Sequence, residues 1–190
     1  MLILAFYCSN VLKKITTIKQ LITYLSENPI EQLKSIAQFL AIPKKEVEPY
    51  KFWSKKHYTR NCIIRTNNYE LILICWEKNQ YTPIHSHNNQ ECWVYHVQGN
   101  FEETRFKQDE NGIPQSIHHS ILYEQKHSYI NDTMGFHVLK NTANGRAMSL
   151  HLYAKPIDEC LVYNENKQLF EMKPLGYFSV AGQLMNPDNN

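Results

Sequence analysis

The chain has 190 residues, 43% hydrophobic and 12% aromatic, which is enough for one packed core and too aromatic for a disordered chain. Its 20 basic residues nearly balance 18 acidic ones, and a net charge of +2 gives no electrostatic ground for a nucleic-acid partner. No apolar run approaches the roughly 20 residues of a membrane helix, and five cysteines without a CxxC pair argue against a disulfide framework or a zinc ribbon.

The first eight residues, Met1 to Cys8, are apolar but lack a positive n-region, and the run stops at Ser9. They read as a packed segment of a cytoplasmic protein rather than a leader. Ile15, Ile18, Leu21, Ile22 and Leu25 then recur at helical spacing until Asn28-Pro29. Ile30, Leu33, Ile36, Phe39 and Leu40 repeat the spacing up to Pro43, and a third short helix is expected over residues 44–50. From about Phe52 the period changes. Strands are expected over residues 70–76, 81–87, 92–98, 101–106, 116–123, 136–141 and 147–154, with Asn- and Gly-rich turns between them. Seven or more short strands without intervening helices predict a mainly β protein, a small antiparallel barrel or jelly roll preceded by two or three short α-helices. Residues 1–50 would form a helical region packed on the barrel and residues 51–190 the barrel itself, with 182–190 a soluble tail.

Nine histidines are present. His57, His118, His119 and His127 sit in polar or turn-rich stretches and read as surface residues. His85 and His87 are spaced i, i+2 within an expected strand, so both point to one face and can take adjacent positions on one metal ion. His137 is a third candidate ligand, opposed in its strand by Phe136 and Val138. In residues 148–153 the alternation is strict: Ser149, His151 and Tyr153 share one face, Met148, Leu150 and Leu152 the other. The polar face would line a cavity in a barrel or meet water on an edge strand. No GxSxG elbow accompanies Ser149, which argues against a Ser-His hydrolase.

His85-Ser86-His87 followed by Gly99 resembles the first metal motif of the cupins, HxH(x)3–4E(x)6G, and His137 with Asn141 resembles the second, H(x)3N. This resemblance implies a cupin-type β-barrel with a metal in its mouth. Counting back six residues from Gly99 puts the glutamate's place at Cys92, with Glu91 beside it on the opposite face. Three histidines alone would then hold the metal, unless a bulge turns Glu91 inward as a fourth ligand.

Four stretches narrow the likeness. They are Tyr58-Thr59-Arg60-Asn61, His85 through Cys92 to Asn100, Tyr129 through Asp132 and Gly135 to His137, and Ser149 through His151 to Tyr153. Between residues 58 and 160 they resemble, in order and spacing, the cysteine dioxygenase family of thiol dioxygenases. That resemblance implies Fe(II) on His85, His87 and His137, L-cysteine and O2 as substrates, and cysteine sulfinic acid as product. It implies that Arg60 pairs with the substrate carboxylate, assisted by Tyr58. It also implies that Ser149 orients His151, that His151 orients Tyr153 beside the substrate, and that Cys92 and Tyr153 form a thioether crosslink. By the same resemblance, an arginine at position 60 implies a preference for cysteine over 3-mercaptopropionate. Cys160, just past this segment, either borders the substrate entrance or fills the core. A cytoplasmic monomer without nucleic-acid or membrane partners is the expected setting. The competing readings are a dioxygenase for 3-mercaptopropionate or another thiol, a Ni, Mn or Zn cupin enzyme with Glu91 as ligand, and a non-enzymatic metal-binding cupin that holds a sugar or effector.

Overall fold

A computed structural model describes residues 14–28 and 36–185. The apolar start and most of the second helical pattern lie outside those residues. The first pattern folds as α1 (Ile18–Glu27), whose buried stripe is Ile18, Leu21 and Leu25. Thr17 opens it with a capping box: its hydroxyl accepts from the Gln20 backbone N–H at 3.1 Å, and the Gln20 side chain accepts from the Thr17 N–H. The described end of the second pattern is a 3-10 turn, Ala37–Phe39. The third, Lys44–Tyr50, is 3-10 rather than α and contains Pro49, which lacks the N–H and the room that an α-turn needs there.

The strands are β1 (Thr59–Arg65), β2 (Tyr69–Trp76), β3 (Glu91–Gln98), β4 (Phe101–Gln108), β5 (Pro114–Leu122), β6 (His127–Ile130), β7 (Phe136–Asn141), β8 (Ala147–Ala154), β9 (Glu159–Asn164), β10 (Leu169–Pro174), β11 (Ser179–Val180) and β12 (Gln183–Leu184). They form a seven-stranded sheet ordered β12-β11-β1-β2-β8-β3-β6, a three-stranded sheet β5-β4-β7 and a β9-β10 hairpin. The sheets do not close into one hydrogen-bonded barrel; the arrangement is that of a jelly roll. β12 takes Gln183 and Leu184 out of the expected tail.

The segment 81–87 is a correction. It is not a strand but a set of isolated bridges, Tyr81 to Lys140 and His85 to His137 and Val162. Pro83 has no N–H to give a ladder, so pairing is broken on either side of it.

Alternation along the central strands divides the core in two. Leu71, Leu73, Trp93, Tyr95, Met148, Leu150 and Leu152 pack with α1 on one face of the large sheet. Ile72, Ile74, Trp76, Cys92, Val94 and Tyr153 face inward, against Phe101 of β4 and Leu139 of β7. Both faces of β2 are therefore buried, which its nearly unbroken apolar run reflects. Each fully buried Leu or Ile contributes about 1.5–3 kcal/mol. The inward face, between the two sheets, is where the polar residues of β8 meet the histidines.

Candidate metal centre

His85 and His137 exchange two backbone hydrogen bonds, His85 N–H to His137 O and the reverse, both 3.1 Å. This single bridge brings the segment 81–87 against β7 and sets the side chains side by side. Gly135 opens β7 at φ +103°, and a Cβ there would stand 2.2 Å from the Phe106 carbonyl oxygen, so only glycine fits two residues before His137. The three rings of His85, His87 and His137 lie with centroids 4.6–5.2 Å apart. One nitrogen from each falls within 4.8 Å of the others, an arrangement that could hold a metal ion.

The outward nitrogens are the test of fit. His85 Nδ1 faces the Pro83 carbonyl at 3.0 Å, and His137 Nδ1 faces Glu103 Oε1 at 2.9 Å. His87 Nδ1 is buried without a hydrogen bond, 3.8 Å from Asp132 Oδ1. For His85 and His137, Nδ1–H directed at an oxygen leaves the Nε2 lone pair for a metal. Burial holds all three imidazoles below their usual pKa; the neighbouring imidazoles add to this for His87, and His85 and then Arg105 do so for His137. Neutral imidazole is the form that coordinates. The donor set therefore fits Fe, Ni, Cu or Zn. Glu103 is 2% exposed and also accepts from Arg105 Nε at 3.0 Å. Asp132 accepts the backbone N–H groups of His87 and Asn89, both at 2.6 Å, and so clamps the loop that carries His87.

A cavity of about 50 Å³ is lined by Tyr58, Arg60, the three histidines, His151, Tyr153 and Cys160 among others. Arg60 rises from β1 between the rings of Tyr153 and Tyr177, its guanidinium carbon 5.9 Å from each centroid. Its Nε and Nη2 are buried without hydrogen-bond partners. Tyr58 stacks on Trp76 with centroids 4.9 Å apart. Trp76 of β2 donates its Nε1–H to Ser149 Oγ of β8 at 2.9 Å, and Ser149 Oγ lies 2.8 Å from His151 Nε2. The other ring nitrogen, His151 Nδ1, lies 3.9 Å from Cys92 Sγ. The Tyr153 ring stacks 6.3 Å from that of His151. Cys92 is the direct register partner of Tyr153, and burial pushes both groups' pKa values up.

Glu91 turns to the other face of β3 and accepts from Tyr129 Oη at 2.7 Å; it is not in the histidine group. Cys160 is buried and also borders the cavity. His57, His118, His119 and His127 are exposed. Sequence reasoning passed over Glu103, Asp132, Trp76 and Glu70. One signal was available for Glu70, an acidic residue heading a strand that is otherwise apolar on both faces.

A jelly roll that gathers three neutral imidazoles on one interior cavity defines a cupin-type metal-site protein. The profile of cysteine dioxygenase type I matches residues 6–166, and the chain belongs to that family. It is 30% identical over 140 residues to human cysteine dioxygenase type 1, covering 72% of this chain and 70% of the human one. Against the Danio rerio protein of the same name it is 26% identical over 174 residues, 89% of this chain and 86% of the other. Among solved structures, a Klebsiella pneumoniae protein with a double-stranded β-helix domain aligns with a TM-score of 0.46 and 16% identity, over 57% of this chain and 81% of its own. Family and histidine cluster together fit a metal-dependent thiol dioxygenase.

Proposed function

We propose that the protein is an Fe(II)-dependent cysteine dioxygenase that converts L-cysteine and O2 to cysteine sulfinic acid. The observation that carries this reading is that Arg60 and the three histidines line the same cavity. A buried guanidinium with donors to spare is shaped for a carboxylate, and a carboxylate held there sets the rest of a small amino acid toward the histidines.

In this reading His85, His87 and His137 hold the metal through Nε2, kept in that tautomer by the Pro83 carbonyl and Glu103, with Asp132 nearest the buried Nδ1 of His87. Bound Fe(II) supplies Lewis acidity and the capacity to react with O2. Arg60 binds the carboxylate, and Tyr58, fixed by its stack on Trp76, closes that side. Ser149 holds His151, and His151 with Tyr153 forms the wall that orients substrate and excludes water. Cys92 and Tyr153, register partners on β3 and β8, form a thioether in this reading. The chain acts as a cytoplasmic monomer, with the helical region around α1 packed on the jelly roll, and has no nucleic-acid or membrane partner. Among the described residues no helix is long and apolar enough to cross a membrane.

The test is oxygen uptake by protein reconstituted in turn with Fe(II), Ni(II) and Zn(II), given L-cysteine, 3-mercaptopropionate or cysteamine, with products identified by mass. Cysteine sulfinate from the Fe(II) form alone, with L-cysteine preferred, is expected. Preference for 3-mercaptopropionate would overturn the substrate, and no uptake with any thiol would overturn the activity.

A further inference from the structure

Arg60 is not alone in its pocket. Glu70, on the neighbouring strand β2, is fully buried, and its Oε1 lies 3.5 Å from Arg60 Nη2, beyond hydrogen-bond geometry but in ion-pair range. The carboxylate is held from three other sides. The Ile157 backbone N–H donates to Oε1 at 3.3 Å, the Tyr177 hydroxyl donates to Oε2, and Arg65 Nη1 approaches Oε2 at 3.6 Å. Arg65 Nη1 also donates to the Tyr177 oxygen at 2.9 Å. Glu70 does not line the cavity; it stands behind the residue that does. A buried charge so close to Arg60 acts in a medium of low dielectric, where its field is weakly screened. An entering carboxylate then meets a guanidinium partly answered by Glu70 rather than a free cation.

We propose that Glu70 is a specificity-determining positioning residue: its charge weakens the hold of Arg60 on a substrate carboxylate, so the cavity separates thiols with and without a carboxylate less sharply than Arg60 alone would. This rests on the carboxylate-binding role proposed for Arg60. The bland alternative is a structural counter-ion that only keeps Arg60 in place. The two differ in sign. Glu70→Gln keeps the shape and the acceptor while removing the charge, so discrimination rises. Arg65→Gln removes a cation from the far side of Glu70 and unmasks its charge, so discrimination falls. Loss of packing or of Arg60 placement would lower discrimination in both.

The probes are L-cysteine and L-cysteine amide, which differ only in a carboxylate against a neutral carboxamide, so effects on thiol and ammonium cancel in their ratio. Each is titrated calorimetrically, without oxygen, into Fe(II)-loaded wild type, Glu70→Gln and Arg65→Gln, and oxygen uptake is measured in parallel. The ratio of amide Kd to cysteine Kd should rise about tenfold in Glu70→Gln and fall severalfold in Arg65→Gln. A ratio that stays put or falls in both variants overturns the proposal, as does failure of either thiol to bind. Should Glu70→Gln not fold, Arg65→Gln is read beside Arg65→Lys, which keeps the charge: a fall of the ratio in Arg65→Gln alone sustains the proposal, and an equal fall in both variants, or no fall in Arg65→Gln, overturns it. Binding with the expected ratios but no oxygen uptake would sustain the role of Glu70 and overturn the dioxygenase reading separately.

Discussion

Cys92 and Tyr153 are register partners across the antiparallel strands β3 and β8, both buried, and Tyr153 lines the cavity that the three histidines line. Side chains directly opposite on one face of such a pair have Cβ atoms about 4.5–5.5 Å apart. This pairing places a thiol beside a phenol ring without any strain in the strands. Joining Sγ to the ring carbon beside the hydroxyl removes two hydrogens and needs iron and O2 as oxidant. Aerobic turnover of the Fe(II) form with L-cysteine should therefore lower the intact mass by two hydrogens and link the two peptides. Cys92→Ala should show neither change. An unmodified pair after prolonged turnover would contradict the expectation.

Arg60→Gln should lower kcat/KM for L-cysteine about 30-fold or more, the consequence of losing a buried charge-assisted pair of about 2–5 kcal/mol. Cysteamine, which has no carboxylate, should change much less. Glu70 is left without its Arg60 partner in this variant, so a lower Tm is expected beside the kinetic effect. Equal losses for both thiols would show that Arg60 does not read the carboxylate.

Glu103→Gln should weaken Fe(II) binding about 10–100-fold, since the carboxylate that accepts from His137 Nδ1 sets that ring's tautomer and basicity. Anaerobic titration against a competing chelator measures it. Glu102→Gln is the control: Glu102 sits one residue away on β4 and pairs with the exposed His119, 2.8 Å distant. It should leave metal affinity unchanged.

His96 gives the pH dependence a definite sign. It is fully buried, with Nδ1 unpartnered, and burial pushes its pKa down to about 4, against a weaker upward pull from Glu103. Unfolded, it titrates near 6.5. Between these values the unfolded chain binds a proton that the folded chain refuses, so stability falls as pH drops from about 6.5 toward 4 and is fully present above 6.5. His96→Leu should remove about one proton's worth of slope, about 1.4 kcal/mol per pH unit, from denaturant unfolding of the metal-free protein. The stability of the variant relative to the wild type should therefore rise as pH falls from 6.5 toward 4. An unchanged slope would mean that His96 is protonated in the fold.

Much of the site was legible along the chain because the facts that place it are local. Period-2 alternation put Ser149, His151 and Tyr153 on one face of β8 and Met148, Leu150 and Leu152 on the other, and the structure has them so. The i, i+2 spacing marked His85 and His87 as a pair, although the strand expected to carry them is broken by Pro83. A single bridge to His137, rather than a ladder, brings the three rings together. Cys92 and Glu91 likewise divide between the two faces of β3 by simple alternation.

What the tertiary structure alone decided is which buried charges answer one another. Glu103 and His137 are 34 residues apart, and Glu70 and Tyr177 are 107 apart. Nothing in either local pattern says that the two will touch. Composition and alternation determine the β architecture and the face each ligand takes, because both follow from side-chain period and hydrophobic burial. The carboxylates behind His137 and Arg60 depend on sheet order, since only the packing of β4 on β7 and of β1 on β2 brings them within reach. A charge is stable inside the protein only where such a partner arrives.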